Sequence, residues 1–209
     1  MHPNPAFRKT SDRRNIDYVR ERGFGTFAIN HPDGPLTANI PALLSEVGET
    51  LDFHLLNSNP IAHILTTPQK AVFLCNGPDS YISPDWYNTD DQVPTWNYVA
   101  IRLEGEAYTL PDDHLAPLLD KLSAHFEQKL APKTPWTTAK MSDGVMQRMM
   151  RSITPFSMKI KKINSTWKLN QKKSAAIRMT ASDSVEKHKL GANTDALSTL
   201  MRDCDSDAI

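Results

Sequence analysis

The stretch FGTFAINHPDGPLTANIPALL, residues 24–44, decides the fold because its pattern is typical of two strands joined by a tight turn. Apolar and small residues alternate in FGTFAIN, as they do in a strand with one buried face. Asp33 and Gly34 supply the backbone freedom that a hairpin turn requires, and LTANIPALL then runs back. The stretch therefore predicts an antiparallel strand pair early in the chain.

Further strands and singly placed helices follow this hairpin. Strands are predicted at TLDFHLLN (50–57), KAVFLCN (70–76), TWNYVAIRLEGEAYTL (95–110) and FSMKIKKI (156–163). Helices are predicted at 13–23, after the SNP of 58–60, at 112–131 and at 143–152, with weaker helical patterns at 182–190 and 194–203. Gly77 and Pro78 are expected to end the KAVFLCN strand, and Ser142 to cap the helix of 143–152.

Helices do not alternate regularly with strands, which argues against a doubly wound parallel sheet. The pattern instead predicts a mainly β chain with peripheral helices, of the α+β class, built on a mostly antiparallel barrel. In the long strand of 95–110, Trp96, Tyr98 and Ala100 are expected on one face and Asn97 on the other.

Composition restricts the partners of the chain. Lysine plus arginine and aspartate plus glutamate number 24 each, so there is no overall excess of positive charge to drive nonspecific binding to phosphates. No apolar stretch has the length of a signal peptide core or a membrane span, which predicts a cytoplasmic protein without a membrane partner. Cys75 and Cys204 lie far apart and are interpreted as free thiols of a reducing compartment.

Metal and nucleotide motifs are not recognisable in the sequence. The histidines have no zinc-ligand spacing, so no metal site is predicted. Glycine-rich phosphate loops and the Gly-x-Ser-x-Gly elbow of serine hydrolases are also missing. No residue can be assigned as a catalytic acid, base or nucleophile.

Three stretches can be interpreted either as ordinary structural features or as functional sites. YISPDWYNTDDQVPTWNYVAI (81–101) is a packed corner, a stacking platform or a nucleic-acid surface, and packing is favoured. HLLNSNP (54–60) is a helix cap or an anion site at a helix N-terminus, and the cap is favoured. KIKKINSTWKLNQKK (159–173) is a nucleic-acid patch, a partner for a ligand phosphate or a solvated lysine-rich face, and the last is favoured.

Read together, YISPDWY, VPTWNYVAI, HLLNSNP and WKLNQKK resemble the FMN-binding negative transcriptional regulator family of the PaiB type. The motifs fall in the family's order, from the hairpin to about Lys173. The resemblance implies a flavin-reductase-like split β-barrel that forms a homodimer with FMN in clefts at the subunit interface. It also implies an FMN-binding domain over residues 1–173, with helices inserted at about 111–151, and a helical tail over residues 174–209.

The resemblance further implies which residues contact FMN. The residues along the isoalloxazine and ribityl chain would be Thr37, Ala38, Asn39 and Ile40. Those at the phosphate end would be His54, Asn57, Ser58 and Asn59. Those along the cleft or the dimer seam would be Trp96, Asn97, Tyr98, Lys168, Gln171 and Lys172. The chain departs from the family pattern at Lys172, which replaces a neutral amide. This lysine could strengthen a phosphate contact or point to solvent.

Three functions are consistent with the sequence and with the resemblance. The first is an FMN-binding protein of the regulator family, and the second is an FMN-dependent oxidoreductase on the same fold, acting on an unidentified small molecule. The third is a DNA-binding repressor, although the neutral chain shows no convincing helix-turn-helix pair.

Overall fold

The predicted hairpin is present in the computed structural model, which describes residues 1–204. Strand β1 (Phe24–Ile29) pairs antiparallel with β2 (Leu36–Leu44). The turn between them closes where the Gly34 N–H donates to the His31 carbonyl at 3.0 Å. Gly34 has φ +113°, a conformation that favours glycine, and this confirms the predicted turn.

The remaining strands and helices follow in the order of the chain. The strands are β3 (Thr50–Leu56), β4 (Gln69–Ile82), β5 (Thr95–Thr109) and β6 (Ile153–Lys168). The α-helices are α1 (Asp12–Arg22), α2 (Pro60–Ile64), α3 (Leu115–Glu127), α4 (Val145–Met150), α5 (Ala175–His188) and α6 (Thr194–Arg202). Short 3-10 helices lie at Pro5–Phe7, Pro84–Tyr87, Asp112–His114, Gln128–Leu130 and Thr138–Lys140.

The strands of the described chain form one closed barrel in the order β1-β2-β3-β6-β5-β4. The pairs β1–β2, β1–β4, β2–β3 and β3–β6 are antiparallel. This confirms the predicted mainly β, mostly antiparallel barrel with peripheral helices.

The described chain divides into two compact units. The first unit contains residues 1–15, 76–102 and 164–204, and the second contains residues 16–75 and 103–163. The domain boundary expected at residue 173 stays a prediction. The last five residues of the expected tail, 205–209, lie outside the described residues.

Aromatic rings fill the core of the second unit. The Phe27 and Phe53 ring centroids lie 4.8 Å apart, and Phe53 stacks on Phe156 at 5.7 Å. All three side chains are almost fully buried. Gly25 allows β4 to approach, because a Cβ there would lie 2.5 Å from the Leu74 carbonyl oxygen. Because side chains alternate between the two faces of a strand, the face of β1 that carries Phe27 lies in this core.

The expected end of β4 at Gly77 and Pro78 is wrong, since the strand continues to Ile82. The reason is a partner from the distant end of the chain. Asp79 and Ala192 exchange backbone hydrogen bonds of 3.0 and 3.2 Å, and the Tyr81 N–H donates to the Leu190 carbonyl at 3.1 Å. Residues 190–192 thus pair with the first unit's part of β4 and keep it extended beyond the proline.

Helix α1 begins and ends one residue before the predicted range of 13–23, whereas the predicted cap of α4 is wrong. Ser11 Oγ accepts the Arg14 N–H at 3.3 Å, and Gly23, with φ +58°, follows the last residue of α1. The expectation that Ser142 caps α4 is wrong, because Gly144 is the N-cap residue, with φ +75°. The left-handed conformation of Gly144 turns the chain between Ser142 and the first helical residue.

Candidate functional site

The outer face of the β1–β2 hairpin carries short side chains at paired positions. Thr26 lies opposite Asn39 and donates from Oγ1 to the Asn39 Oδ1 at 2.7 Å, and Ala28 lies opposite Thr37. Successive strand residues point to opposite faces, so these side chains face away from the core that Phe27 occupies. These four paired positions of the hairpin therefore present short, uncharged side chains on its outer face.

Strand β4 extends this surface on the other side of β1. Val72 lies opposite Ala28, and Leu74 lies opposite Thr26; both are half-buried. We call the set Thr26, Ala28, Thr37, Asn39, Val72 and Leu74 the hairpin platform. Its apolar and short side chains can pack against a flat ring, while hydroxyl and amide groups can meet polar atoms at the edge of the ring. Phe24, 42% exposed at the end of β1, adds a large apolar side chain to this part of the second unit.

Strand alternation divides the predicted flavin-contacting residues of β2. The Thr37 and Asn39 side chains are exposed on the platform. Ala38 and Ile40 belong to the alternate, inward set, and Ile40 is 3% exposed. A ligand on the outer face can therefore reach Ile40 through its backbone but not through its side chain.

The predicted phosphate-binding turn uses much of its hydrogen-bonding capacity within the protein. Asn57 Nδ2 donates to the Arg151 carbonyl at 3.0 Å, and Asn57 Oδ1 accepts the Thr154 hydroxyl at 2.8 Å. Asn59 caps α2 by accepting the Ile61 N–H at 2.9 Å. Helix α2 has five residues and begins with a proline, which has no N–H. Two of the three side chains therefore have structural hydrogen bonds, whereas Ser58 is exposed.

His54, on the neighbouring part of β3, carries a buried nitrogen without a protein partner. No described residue forms a hydrogen bond with its Nδ1. Burial lowers the pKa of His54, because a charged imidazolium loses hydration there. A neutral imidazole keeps one acceptor and one donor nitrogen. The Nδ1 atom, which has no hydrogen-bond partner in the protein, can form a hydrogen bond with a polar group of a bound ligand.

The three predicted residues of β5 do not share a face. Asn97 is fully buried, and its Nδ2 lies 3.5 Å from Met201 Sδ. Trp96 is 48% exposed, and Tyr98 is half-buried on the same side of the strand, as the alternation predicts. The Trp96 ring meets Tyr81 edge-on with centroids 6.3 Å apart. Only Trp96 and Tyr98 therefore present side chains on the outer face.

The predicted residues at the end of β6 and in the turn that follows lie in the first unit and have different surroundings. The Gln171 side chain forms hydrogen bonds within the protein. Its Nε2 donates to the Trp167 carbonyl at 2.6 Å, and its Oε1 accepts the Leu169 N–H at 2.8 Å. Lys168 donates to the Thr95 hydroxyl, and burial lowers the pKa of Lys168. Lys172 is exposed. The two ammonium groups lie 5.9 and 5.6 Å from the ring centroid of Phe7.

Sequence reasoning missed Thr26 and Phe7. Counting residues outward from the Asp33–Gly34 turn would have placed Thr26 opposite Asn39. Phe7 had no such signal, because 161 positions separate it from Lys168. Sequence reasoning also missed a cleft of about 790 Å³ in the second unit, which is lined by residues of α3 and of the β2–β3 turn and by none of the predicted FMN contacts.

In residues 1–204, no three His, Cys, Asp or Glu side chains are grouped so that they could hold a metal ion. No helix in this range is both long and apolar enough to cross a membrane.

Comparison with known sequences identifies a family. Residues 1–162 match the family described as "Putative FMN-binding domain". The chain is 25% identical over 202 residues to the protein "Protease synthase and sporulation protein PAI 2" of Bacillus subtilis, covering 95% of this chain and 96% of the relative. These matches confirm the PaiB-type resemblance, and the family match identifies FMN as the cofactor.

Solved structures with the same fold include two flavoproteins. The FAD and heme binding protein from Mycobacterium smegmatis has a TM-score of 0.56 and 17% identity, over 78% of this chain and 73% of that chain. The flavocytochrome Anf3 from Azotobacter vinelandii has a TM-score of 0.54 and 11% identity, over 80% and 72%. At these identities the comparison concerns the fold alone, and it confirms the predicted split barrel.

Proposed function

Because the chain belongs to the FMN-binding domain family, we propose that it holds the FMN ring system on the hairpin platform and that a second copy covers this face. The observation that carries the proposal is the paired arrangement of Thr26 with Asn39 and of Ala28 with Thr37. The side chains that define the platform are short or apolar, so they can pack against a planar ring, and none of them is charged. A homodimer would exclude water from the second face of the ring.

The residues of the platform have distinct tasks in this proposal. Ala28, Val72 and Leu74 pack against the ring, while Thr37 and Asn39 orient it through hydrogen bonds. The Thr26 hydroxyl fixes the Asn39 amide, so that the Asn39 Nδ2 is available as a donor. Bound FMN supplies the redox chemistry, and the protein supplies binding and orientation.

Of the other predicted contacts, those at 54–59 share the second unit with the platform, whereas those at 96–98 and 168–172 lie in the first unit and stay predictions. The orphaned His54 Nδ1 and the exposed Ser58 support contacts at the end of β3. Asn57 and Asn59 act as positioning residues instead, since their side chains already bind groups of the protein.

A regulatory role is proposed from the resemblance to the PaiB-type regulator family; the Bacillus subtilis relative is named for protease synthesis and sporulation. Regulation through flavin requires that binding or reduction of FMN change a later interaction of the protein. Operator DNA is one partner for that interaction. A gel shift with promoter DNA, repeated with oxidised and reduced FMN and at increasing salt, would test direct repression. Turnover of a reduced nicotinamide by the FMN-loaded protein would instead support the oxidoreductase.

The platform is tested by comparing two tryptophan variants. Ala28→Trp places a large side chain on the platform, whereas Lys162→Trp places the same side chain at an exposed position of β6 in the same unit. FMN binding is followed by flavin absorbance, and subunit association by sedimentation.

We expect Ala28→Trp to weaken FMN binding at least about tenfold, by the free energy of a few lost ring contacts, and Lys162→Trp to bind normally. Both variants should unfold at nearly the wild-type temperature. Normal FMN binding by Ala28→Trp would contradict the location, and a monomer that binds FMN fully would contradict the covered interface.

A further inference from the structure

The turn after β6 gathers hydrogen-bond donors around one buried aromatic ring in the first unit. The Nζ atoms of Lys168 and Lys172 lie 5.9 and 5.6 Å from the centroid of Phe7, and the His2 ring meets Phe7 edge-on at 4.7 Å. Phe7 is 8% exposed. The ring attracts both ammonium groups through its negative face, which holds the two lysines in the same neighbourhood.

These positive charges have no carboxylate partner among residues 1–204. Lys168 binds a hydroxyl, that of Thr95, and the neighbouring Lys173 binds the side-chain carbonyl of Gln92. Other lysines are paired: Lys161 with Glu106 at 3.7 Å and Lys189 with Asp195 at 3.2 Å. The lysines around Phe7 therefore have no acidic partner among the described residues, in contrast to Lys161 and Lys189.

A buried amide adds a second, independent observation. Asn170 lies in the same turn, 7% exposed, in the left-handed conformation with φ +62°. Its Oδ1 accepts the Tyr87 hydroxyl at 3.3 Å, but its Nδ2 forms no hydrogen bond with any described residue. A buried N–H group without a partner is destabilising. An acceptor group of a ligand would satisfy it.

His2 adds a further donor of defined tautomer. Its Nδ1 accepts the Asn4 N–H at 3.1 Å, so a neutral ring carries its proton on Nε2. Burial lowers the pKa of His2, and the charges of Lys168 and Lys172 lower it further. His2 therefore adds a neutral N–H donor beside the two ammonium groups.

We propose that Lys168, Lys172, Asn170 and His2 form a binding site for the dianionic phosphate of a phosphate monoester. All four side chains offer donors, and a phosphate monoester offers three acceptor oxygens and a charge of about −1.5 to −2 at pH 7. The phosphate of FMN is one source and a separate phosphorylated compound is the other; the first source rests on the proposed function. The Asn57–Asn59 turn suits this task less, because its two amides are already bonded.

The site is tested on the full-length protein with three ligands: FMN, riboflavin, which lacks the phosphate, and inorganic phosphate. Lys172→Gln removes one charge from an exposed side chain, and Lys172→Arg retains it. Lys161→Gln is the matched control, because it removes a lysine that is paired with Glu106. Unchanged unfolding temperatures verify that each variant is folded.

We expect the wild type to bind inorganic phosphate. Lys172→Gln should bind it about tenfold less tightly, because one charge-assisted hydrogen bond is lost. Lys172→Arg and Lys161→Gln should keep wild-type affinity. If the preference for FMN over riboflavin falls by the same factor, the FMN phosphate is the source. If that preference is unchanged, the site exists for another phosphorylated compound.

The proposal is overturned if phosphate does not bind to the wild type, or if Lys172→Gln and Lys161→Gln weaken it equally. Measurements with riboflavin distinguish failure of the phosphate site from failure of flavin binding, which the proposed function requires. A protein that binds inorganic phosphate at Lys172 but neither FMN nor riboflavin would refute flavin binding and leave the phosphate site standing.

Discussion

At the scale of single residues, His54 and Cys75 show how burial alters side-chain chemistry in the second unit. The His54 ring is half-buried on β3, opposite Pro155 of β6. Cys75 is fully buried near the end of the unit's part of β4. In both cases burial disfavours the charged form, so the pKa of the imidazole falls and that of the thiol rises.

We expect the stability of the apo protein to fall below pH 6.5, the ordinary pKa of histidine, in part because of His54. The unfolded chain then binds a proton at this residue that the folded protein binds less readily, so acid favours unfolding. His54→Gln should therefore flatten the fall in unfolding free energy between pH 7 and 5, by at most about 1.4 kcal/mol per pH unit.

Urea unfolding at several pH values measures this effect. His2 and His125, whose pKa values are also lowered, remain in both proteins, so the difference between the two curves reports His54. Parallel curves for wild type and variant would contradict the prediction.

Cys75 should resist alkylation in the native protein. Burial raises its pKa from 9.0 to about 12, which lowers its thiolate fraction about a thousandfold. We expect iodoacetamide at pH 8 to label Cys204, which is partly exposed, before Cys75. Peptide mass analysis of native and urea-unfolded protein would measure both sites, and rapid native labelling of Cys75 would show that this part of β4 opens.

At the scale of elements, the pairing of β4 with residues 190–192 explains how a strand passes through Gly77 and Pro78. The pairing requires close approach at Gly191, where a Cβ would lie 2.2 Å from the Asp79 carbonyl oxygen. Gly191 also has φ +150°, which side chains rarely adopt. The strand extension therefore depends on a glycine that lies more than 100 positions away in sequence.

Gly191→Ala should lower the unfolding free energy by about 2 kcal/mol or more, combining backbone strain with a steric clash. Gly144→Ala is the matched control, because Gly144 has φ +75° but no atom within 4 Å of the added Cβ. We expect that control to lose about 1 kcal/mol. Thermal unfolding measures both variants, and equal losses would show that close approach at Gly191 contributes nothing.

At the scale of the whole molecule, α5 and α6 belong to the first compact unit together with parts of the barrel strands. Ala181, Val185, Leu197 and Met201 are fully buried within this unit. Met201 Sδ accepts the buried Asn97 amide of β5, and Ser182 Oγ donates to the Ser198 carbonyl at 2.8 Å. These contacts favour folding of the two helices with β5 rather than as a separate tail.

We therefore expect Leu197→Asp to destabilise the unit by about 3 kcal/mol or more, because it buries an unpaired charge. Ala196→Asp, on the exposed side of the same helix, should change stability by less than about 0.5 kcal/mol. Tryptophan fluorescence reports the unfolding transition, because all four tryptophans, Trp86, Trp96, Trp136 and Trp167, lie outside both helices. An unchanged tryptophan transition in Leu197→Asp would support a separate tail beginning near residue 174.

The sequence alone determined the hairpin of 24–44 and the alternation of β5, because each depends on patterns within a few neighbouring residues. It also indicated the family that binds FMN, through several short motifs in a fixed order along the chain. Tertiary structure decided that Ile40 and Asn97 turn inward, that Asn57 and Asn59 are bonded within the protein, and that β4 passes Pro78. It also decided that Phe7 lies beside Lys168 and Lys172. Such outcomes follow from barrel closure and from pairing between distant segments, which local periodicity does not encode.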